Sequence, residues 1–255
     1  MSTVLVTGGS GVLGKHIVER LRVRGHDVRV LSRREGVGTH VGDLATGEGV
    51  RAAVEGAELV VHAASDTRRL GKPDPEQTRN LVAVAGGVRH LLYVSIVGID
   101  RIPFPTYRNK LACEEIVTES AVPHTILRAT QFHDLLGALL GGVERLPLAP
   151  LPLDFRFQPL ATGEAAVRIA DLVEGESLGR APDFGGPEVL TLAEMAEVWR
   201  ARRGGPKRTV RIPLPGKVAH GYRSGYNTCP DHAEGKQTWA EYVAGDPGAA
   251  YRLRG

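Results

Sequence analysis

The fold is decided by the stretch Val4-Leu-Val-Thr-Gly-Gly-Ser-Gly-Val-Leu-Gly14, an apolar strand that leads directly into glycines at positions 8, 11 and 14. The segment Val12–Val23 follows, with apolar and charged residues at helical spacing. In such a unit Gly8 makes the tight turn, Gly11 admits a pyrophosphate, and Gly14 lets the helix pack on the strand. The pattern therefore predicts a dinucleotide-binding turn, whose residues are Gly8, Ser10, Gly11, Val12, Leu13 and Gly14.

The composition is that of an ordinary globular protein, and nothing in it requires a nucleic-acid or membrane partner. Its 255 residues are 42% apolar and 24% charged, with a net charge of +3 spread along the chain rather than in blocks. Cys113 and Cys229 lie far apart without a framework pattern, which favours a reducing compartment. Since no signal-type or membrane-length apolar run is visible, we expect a cytoplasmic protein that binds neither nucleic acid nor membrane.

Strand and helix patterns alternate along the chain, which predicts a doubly wound parallel α/β sheet, the Rossmann fold. The predicted strands are Val4–Thr7, Asp27–Ser32, Thr39–Val41, Leu59–Ala63, His90–Ser95 and His124–Arg128. Helices are expected at Thr78–Ala85 and Tyr107–Ser120, among others. We divide the chain into a cofactor-binding core, residues 1–145, and residues 146–255, a proline-rich crossover loop, remaining core elements and a small C-terminal substrate lobe.

The residues after the second strand indicate which dinucleotide is preferred. NAD sites usually place an acidic residue there, whereas a 2′-phosphate calls for positive charge. Ser32 is followed here by Arg33 and Arg34, and a guanidinium pairs well with a phosphate. We therefore expect NADP (NADPH), with NAD less favoured; the alternative is a solvated basic pair on a loop.

Two further loops are candidate cofactor contacts. Asp43 follows the third strand and is placed to accept from an adenine amino group, with Leu44 against the ring; a plain turn aspartate is the alternative. Small residues after the fourth strand let a cofactor cross the sheet edge, although they also suit core packing. These residues are Ala63, Ala64 and Ser65.

Together these motifs resemble the atypical short-chain dehydrogenases/reductases, and within them the NmrA-like and isoflavone-reductase-like branch. The motifs are Gly-x-x-Gly-x-x-Gly after strand one, Gly42-Asp-Leu44, His62-Ala-Ala-Ser65, Tyr93-Val-Ser-Ile-Val-Gly98 and a lysine on the next helix. The resemblance implies NAD(P)-dependent oxidoreductase chemistry with Ser95 and Lys110 as catalytic and cofactor-binding residues. It also implies that Thr130 and Gln131, after the sixth strand, contact the nicotinamide.

One residue of the family pattern is missing. The superfamily's tyrosine stands four positions before the lysine, where this chain has Thr106, a hydroxyl of far higher pKa. Tyr107 is one residue further on, a third catalytic candidate, and on a helix that step turns a side chain by roughly 100°, away from a cofactor that Lys110 faces. Lys110 then acts alone as general acid/base, as the resemblance to isoflavone-reductase-like enzymes implies; the alternatives are that it binds the nicotinamide ribose or is a solvated helix lysine. Ser95 either donates a hydrogen bond to a substrate carbonyl or only ends the strand. His133 and Asp134 follow on the next helix, where they either reach the substrate or have a structural role. A histidine at such a position is more often a structural hydrogen-bonding residue.

We weigh three functions. The first is hydride transfer between NADP(H) and a small apolar or aromatic carbonyl or enone, in a pocket lined by Leu146–Leu153 and Phe155. The second is a non-catalytic NADP-binding redox sensor with a protein partner, and a weaker third is a sugar-nucleotide epimerase or dehydratase. We expect a monomer or homodimer. A metal site is not expected, because Cys229, Asp231, His232 and His220 lack paired ligand spacing, and no serine-hydrolase or P-loop motif is present.

Overall fold

The computed structural model describes residues 1–36 and 38–245. The strands are β1 (Thr3–Thr7), β2 (Asp27–Ser32), β3 (Thr39–Val41), β4 (Leu59–His62), β5 (His90–Ile96), β6 (His124–Ala129), β7 (Ala149–Leu151), β8 (Arg156–Phe157), β9 (Gly179–Arg180), β10 (Leu190–Thr191) and β11 (Thr209–Arg211). The α-helices are α1 (Val12–Val23), α2 (Val50–Val54), α3 (Asp74–Val82), α4 (Pro105–Glu119), α5 (His133–Val143), α6 (Thr162–Glu174), α7 (Leu192–Arg203), α8 (Lys217–Arg223) and α9 (Trp239–Ala244). Two short 3₁₀ turns lie at Thr67–Arg69 and Pro230–His232.

These elements form two compact units that interleave along the chain. The first unit contains residues 1–95, 104–128 and 165–182, and the second contains 96–103, 129–164 and the described residues from 183 onward. The units do not coincide with the predicted division at residue 146. Helix α5 and the loop after β5 lie in the second unit, whereas most of α6 and strand β9 return to the first.

The first unit is built on a seven-stranded sheet of order β3-β2-β1-β4-β5-β6-β9. Strand β1 pairs in parallel with β2 and β4, and β4 pairs in parallel with β5. Because Thr7 is in register with Leu31 and with His62, the carboxyl ends of these strands reach one edge of the sheet together. The prediction of a doubly wound Rossmann sheet is confirmed, and its carboxyl edge is where such folds bind ligands.

Helix α3 begins four residues earlier than the predicted helix at Thr78–Ala85. The sequence suggested that Pro75 breaks the chain before a helix at Thr78, but α3 begins at Asp74 with the proline in its first turn. Proline suits that position because its missing N–H has no partner there and its φ is already helical. The start matters for function, because it fixes the Asp74 carboxylate at the end of the loop that follows β4.

The second unit has its own core, formed by α5, α7, α9 and two short strand pairs. Trp199 and Trp239 stack in it with ring centroids 6.0 Å apart, and Phe155 stacks on Tyr222 at 5.2 Å. The Thr191-x-x-Glu194 spacing predicts a capping box at the start of α7, and the structure has it, with Thr191 and Glu194 bonded reciprocally. The proline-rich segment contains β7, which was expected to be loop and pairs in parallel with β11. Such an isolated two-stranded pairing tolerates a proline, which lacks one ladder donor.

Candidate functional site

The turn after β1 has a geometry that only glycine permits at two positions. Gly8 has φ +72°, and a Cβ there would lie 2.7 Å from the backbone nitrogen of Ala64. A Cβ on Gly14 would lie 2.1 Å from the carbonyl oxygen of Gly8, so helix α1 packs directly on the turn. The N–H of Gly11 donates to that same carbonyl oxygen at 2.9 Å. The turn is therefore compact and brings the start of α1 against the ends of β1 and β4.

The N-terminus of α1 has the features of a phosphate site. Its N-cap is Gly11, which has no side chain to satisfy the first-turn N–H groups, and the first turn contains no acidic residue. Ser10 and Gly11 are exposed, while Val12 and Leu13 are half-buried. An anionic pyrophosphate fits this helix end, because free N–H groups and the helix dipole both favour negative charge there.

The loop after β2 carries unpaired positive charge. Arg33 and Arg34 are exposed, and neither guanidinium has an ion pair within residues 1–36 and 38–245. The Oγ of Ser32 accepts from the backbone N–H of Arg34 at 3.1 Å, which shapes the turn. A Cβ on Gly38 would lie 2.8 Å from Nη2 of Arg22, so a third guanidinium lies beside this loop. These charges suit the 2′-phosphate of NADP.

Asp43 shapes a turn and Leu44 packs in the core, as expected if the two residues are structural. The Oδ1 of Asp43 accepts from the N–H of Ala45 at 2.9 Å, an Asx turn that leaves Oδ2 as the oxygen for a ligand. Leu44 is buried in the core of the first unit. We therefore retain Asp43 as a candidate adenine contact and assign Leu44 to packing.

The predicted residues after β4 lie next to the glycine turn. The backbone of Ala63 and Ala64 lies where a Cβ on Gly8 would project, and both alanines are half-buried. Ser65 is exposed, and its Oγ donates to Oδ2 of Asp74 at 2.6 Å. The small side chains at 63 and 64 thus permit close packing of two strand ends, and Ser65 is held from behind by a buried carboxylate.

Lys110 and Ser95 are buried together at the end of β5. The Nζ of Lys110 donates to the carbonyl oxygen of Val94 at 3.3 Å and lies 4.8 Å from the centre of the Tyr93 ring. The adjacent Ser95 is 3% exposed, and its Oγ has no hydrogen-bond partner in the described part of the chain. A buried hydroxyl without a partner is costly unless a ligand satisfies it. The pair is therefore a candidate position for a ligand oxygen.

The electrostatic environment of Lys110 combines burial with nearby carboxylates. Burial lowers the pKa of the Lys110 amine below its ordinary value, because the charged form loses hydration. The negative charges of Asp74 and Glu114 act in the opposite direction and favour the ammonium. Burial, with the nearby charge of Lys110, also lowers the pKa of His62 to about 3, so this histidine stays neutral.

Tyr107 is placed differently from the sequence expectation. Helix α4 is regular from Pro105, and the N–H of Tyr107 donates to the carbonyl oxygen of Phe104 at 3.0 Å. Tyr107 and Lys110 are three residues apart and are both buried, so they share one face of the helix. The expectation that the one-residue displacement turns Tyr107 away is therefore corrected, because a step of three residues returns to nearly the same side.

Three buried groups that the sequence reasoning missed support this site. Asp74 accepts from Ser65 Oγ and from the N–H of Asp66 at 2.9 Å, which ties the loop after β4 to α3. Glu114 forms a bidentate pair with Arg128 at 2.8 and 2.7 Å, which fastens α4 to β6. His62 bonds the hydroxyls of Thr7 and Thr78. Only the fold brings these distant positions together, although the polar His62 inside the apolar run 59–64 was a visible signal.

Thr130 and Gln131 belong to the second unit. Thr130 is 2% exposed, and its Oγ1 accepts from the N–H of Gly186 at 3.3 Å. Gln131 Oε1 accepts from Asn227 Nδ2 at 3.0 Å, while its own Nε2 is buried without a partner among the residues described. A free amide donor leaves Gln131 available for a ligand.

His133 and Asp134 make contacts within the second unit, although neither ring nitrogen of His133 has a hydrogen-bond partner in the described ranges. The imidazole of His133 is fully buried and stacks on Tyr242 at 4.9 Å, and burial lowers its pKa to about 4. Asp134 accepts from Thr162 Oγ1 at 3.1 Å. Phe155 and Leu151 are likewise buried in this unit's core, so they pack the lobe instead of lining a pocket as expected.

The candidate metal residues do not form a ligand set. Within residues 1–36 and 38–245 no group of three or more His, Cys, Asp or Glu side chains is arranged to hold an ion. Cys229 is buried, and burial raises the pKa of its thiol to about 12, which keeps it protonated. Of the helices in the described ranges, none combines the length and apolarity needed to span a bilayer.

Comparison with known sequences identifies the family. The profile of an NAD(P)H-binding family matches residues 8–137, half of the chain, and includes the glycine turn, Ser95 and Lys110. The chain belongs to this NAD(P)H-binding family.

Individual relatives extend the comparison. A 3-beta-hydroxysteroid dehydrogenase of Mycolicibacterium neoaurum is 30% identical over 156 residues, 48% of this chain and 43% of that protein. The chain thus spans less than half of that relative's length. An NADPH-dependent quinone oxidoreductase of Escherichia coli, solved with NADPH, superposes with a TM-score of 0.78 at 17% identity, covering 94% and 98% of the two chains. A nucleoside-diphosphate-sugar epimerase of Staphylococcus aureus gives a TM-score of 0.79 at 16% identity, covering 95% and 99%. At these identities the two structures establish the fold alone.

Proposed function

We propose that the protein is an NADP(H)-dependent oxidoreductase that transfers a hydride between nicotinamide and a small apolar or aromatic carbonyl or enone. One observation carries the proposal. Lys110 and Ser95, whose hydroxyl has no hydrogen-bond partner among the residues that the structure describes, are buried at the end of β5. They belong to the unit that also contains the glycine turn. A proton donor, a hydrogen-bond donor and a dinucleotide site thus lie on one sheet edge.

The chemistry divides between the cofactor and these side chains. When bound, NADPH supplies the hydride that adds to the substrate carbon. Ser95 donates a hydrogen bond to the substrate oxygen and holds it near Lys110. The ammonium of Lys110 then gives its proton to that oxygen as negative charge develops, so a carbonyl becomes an alcohol. The lowered pKa of Lys110 makes the ammonium a better acid than an exposed lysine.

The preference for NADP rests on the loop after β2. Arg33 and Arg34 are exposed and free of ion pairs among the described residues. They directly follow Ser32, the last residue of β2, where an NAD site usually has an acidic residue, and the first carboxylate of the loop, Glu35, comes after both arginines. A 2′-phosphate would form charge-assisted hydrogen bonds with either guanidinium. The quinone oxidoreductase with the similar fold was solved with NADPH.

The proposed substrate class is based on the compounds for which similar proteins are named. The matched dehydrogenase acts on a steroid and the similar structure is a quinone oxidoreductase, both named for apolar ring compounds. These names support an apolar carbonyl or conjugated substrate. A sugar-nucleotide epimerase is the weaker alternative, because Thr106 occupies the position of the superfamily's tyrosine.

The test is NADPH consumption across quinones, enones and ketones. Wild type is compared with Lys110→Met, and with Lys72→Met as a matched control, since Lys72 is exposed. We expect turnover with at least one apolar carbonyl, a loss of roughly a hundredfold or more in Lys110→Met, and no change in the control. Equal turnover by Lys110→Met would overturn the catalytic assignment.

A second candidate function is a non-catalytic sensor that binds NADP and reports cofactor state to a protein partner. It is favoured by the threonine at position 106, since the family's usual proton donor is absent. Fluorescence titrations with NADPH, NADP and NAD distinguish the two functions when combined with the turnover screen. Tight binding without turnover of any substrate would favour the sensor.

A further inference from the structure

The second unit exposes a row of apolar side chains, which we call the leucine-proline surface. Leu135 and Leu139 lie one turn apart on α5 and are 46% and 42% exposed. Leu146 and Leu148 follow in the segment after the helix and are 43% and 48% exposed. The surface consists of Leu135, Leu139, Leu146, Leu148, Pro150 and Val210.

Local structure links the segments that carry these residues. The N–H of Leu146 donates to the carbonyl oxygen of Val143, so the chain turns directly out of α5. Val210 is in register with Pro150 across the parallel pair β7–β11, and residues in register share a side of the sheet. Ala149 and Leu151, which alternate with Pro150, are buried. Pro150 and Val210 therefore face outward together.

Positive charge surrounds the patch. The two segments that build it and its border, residues 135–154 and 200–217, contain eight Lys or Arg residues and two acidic residues, Glu144 and Asp154. Arg203 forms an ion pair with Glu144 and Arg211 with Asp154. Six basic residues remain without an ion pair in the described part of the chain: Arg145, Arg200, Arg202, Lys207, Arg208 and Lys217. Glu144 is already engaged, since it accepts from Trp199 Nε1 at 3.2 Å. A Cβ on Gly205 would lie 2.1 Å from the carbonyl oxygen of Glu144, so the basic loop containing Lys207 and Arg208 packs directly on the end of α5. The chain as a whole carries only +3, so the charge is concentrated here.

The backbone of the patch presents few polar groups that would need water. Within residues 146–153 three positions are proline and have no N–H. The N–H groups of Leu146, Ala149 and Leu153 donate to carbonyl oxygens of the same unit. Six of the eight positions therefore have no unsatisfied donor. Such a backbone enters an apolar medium at low cost, because unpaired N–H groups are the main penalty there.

We propose that the leucine-proline surface binds an anionic lipid bilayer, with its leucines in the interface and the surrounding guanidinium and ammonium groups on the lipid phosphates. Charge complementarity selects this occupant over a second copy of the chain, because two such surfaces would bring like charges together. Apolar side chains rimmed by Lys and Arg are the pattern of peripheral membrane binding. We expected no membrane partner from the sequence, since no apolar run is long enough to span; that criterion does not detect a surface assembled from separate segments.

Vesicle co-sedimentation of the full chain tests the proposal. The probes are vesicles of phosphatidylcholine alone and vesicles of phosphatidylcholine with phosphatidylglycerol. We expect binding to the anionic vesicles that weakens with salt, and at least tenfold weaker binding to the neutral ones. Equal binding to both compositions, or none to either, would overturn the proposal.

Two variants and two controls locate the surface. Leu139→Ser should weaken vesicle binding roughly fivefold and Arg145→Glu more strongly. Leu178→Ser and Arg89→Glu change equally exposed residues of the first unit and should have no effect. Circular dichroism of each variant verifies folding. Sedimentation velocity gives the remaining outcome: a wild-type dimer that Leu139→Ser dissociates would assign the surface to self-association and refute lipid binding.

Discussion

The Cα of Gly14 approaches the carbonyl oxygen of Gly8 so closely that a Cβ on Gly14 would lie 2.1 Å from that oxygen. The obstacle is backbone, which cannot move aside as a side chain can. This contact sets the position of α1 against the turn, and with it the direction of the first N–H groups of the helix.

Gly14→Ala should therefore damage both folding and cofactor binding. We expect a loss of about 2 kcal/mol in the free energy of unfolding, from overpacking against fixed backbone, and strongly weakened NADPH binding. Urea denaturation and a fluorescence titration measure the two effects. Gly86→Ala is the matched control, because nothing lies within 4 Å of the Cβ it adds. An unchanged NADPH affinity in Gly14→Ala would contradict the assignment of the turn.

Arg33→Glu should change the preference between the two dinucleotides. Replacing a free guanidinium with a carboxylate removes the partner of the 2′-phosphate and offers an acceptor to a ribose hydroxyl. We expect NADPH binding to weaken by about 10- to 100-fold, with NADH binding unchanged or improved. Arg89→Glu makes the same charge change next to the amino end of β5 and serves as control. A constant NADPH/NADH ratio in Arg33→Glu would mean that the phosphate is bound elsewhere.

The rate of reduction should fall as pH rises through the pKa of Lys110, because only the ammonium can give a proton. Because burial lowers the pKa of Lys110, this fall in rate should occur at a lower pH than the ordinary pKa of a lysine. Asp74→Asn removes a charge that stabilises the ammonium, so the fall in rate should move to lower pH. The pH profile of kcat measures both, and Asp27→Asn, at an exposed position at the start of β2, is the control. If kcat falls at the same pH in wild type and in Asp74→Asn, Lys110 is not the proton donor and only binds the cofactor.

His133 should make the protein sensitive to acid. Burial lowers its pKa from 6.5 to about 4 in the folded state, so the unfolded chain binds the proton more readily between these values. Stability is therefore fully present above pH 6.5 and is lost as pH falls toward 4. We expect a loss of about 2 kcal/mol between pH 7 and pH 5 from this residue. In His133→Phe the pH dependence of urea denaturation over this range should be shallower by that amount, and an identical slope would contradict the assignment.

Local pattern predicted the elements whose signals are short-range. The strands from β1 to β6 are predicted to within a residue or two, and so is the capping box at Thr191. Strand composition, the turn residues that bound a strand and helix capping are all signals carried by neighbouring residues. Strand β7 and its pairing with β11 were missed, because prolines dominate β7 and its partner lies some sixty residues further along the chain.

The candidate site divides in the same way. The sequence by itself determined the glycine turn, the basic loop at Arg33 and Arg34, and the presence of Ser95 and Lys110, because each depends on spacing along one short segment. Only the tertiary structure decided what surrounds Lys110, since Asp74 and Tyr93 reach it from other parts of the chain. It also decided which leucines face outward, as burial is a property of packed elements and not of residue type.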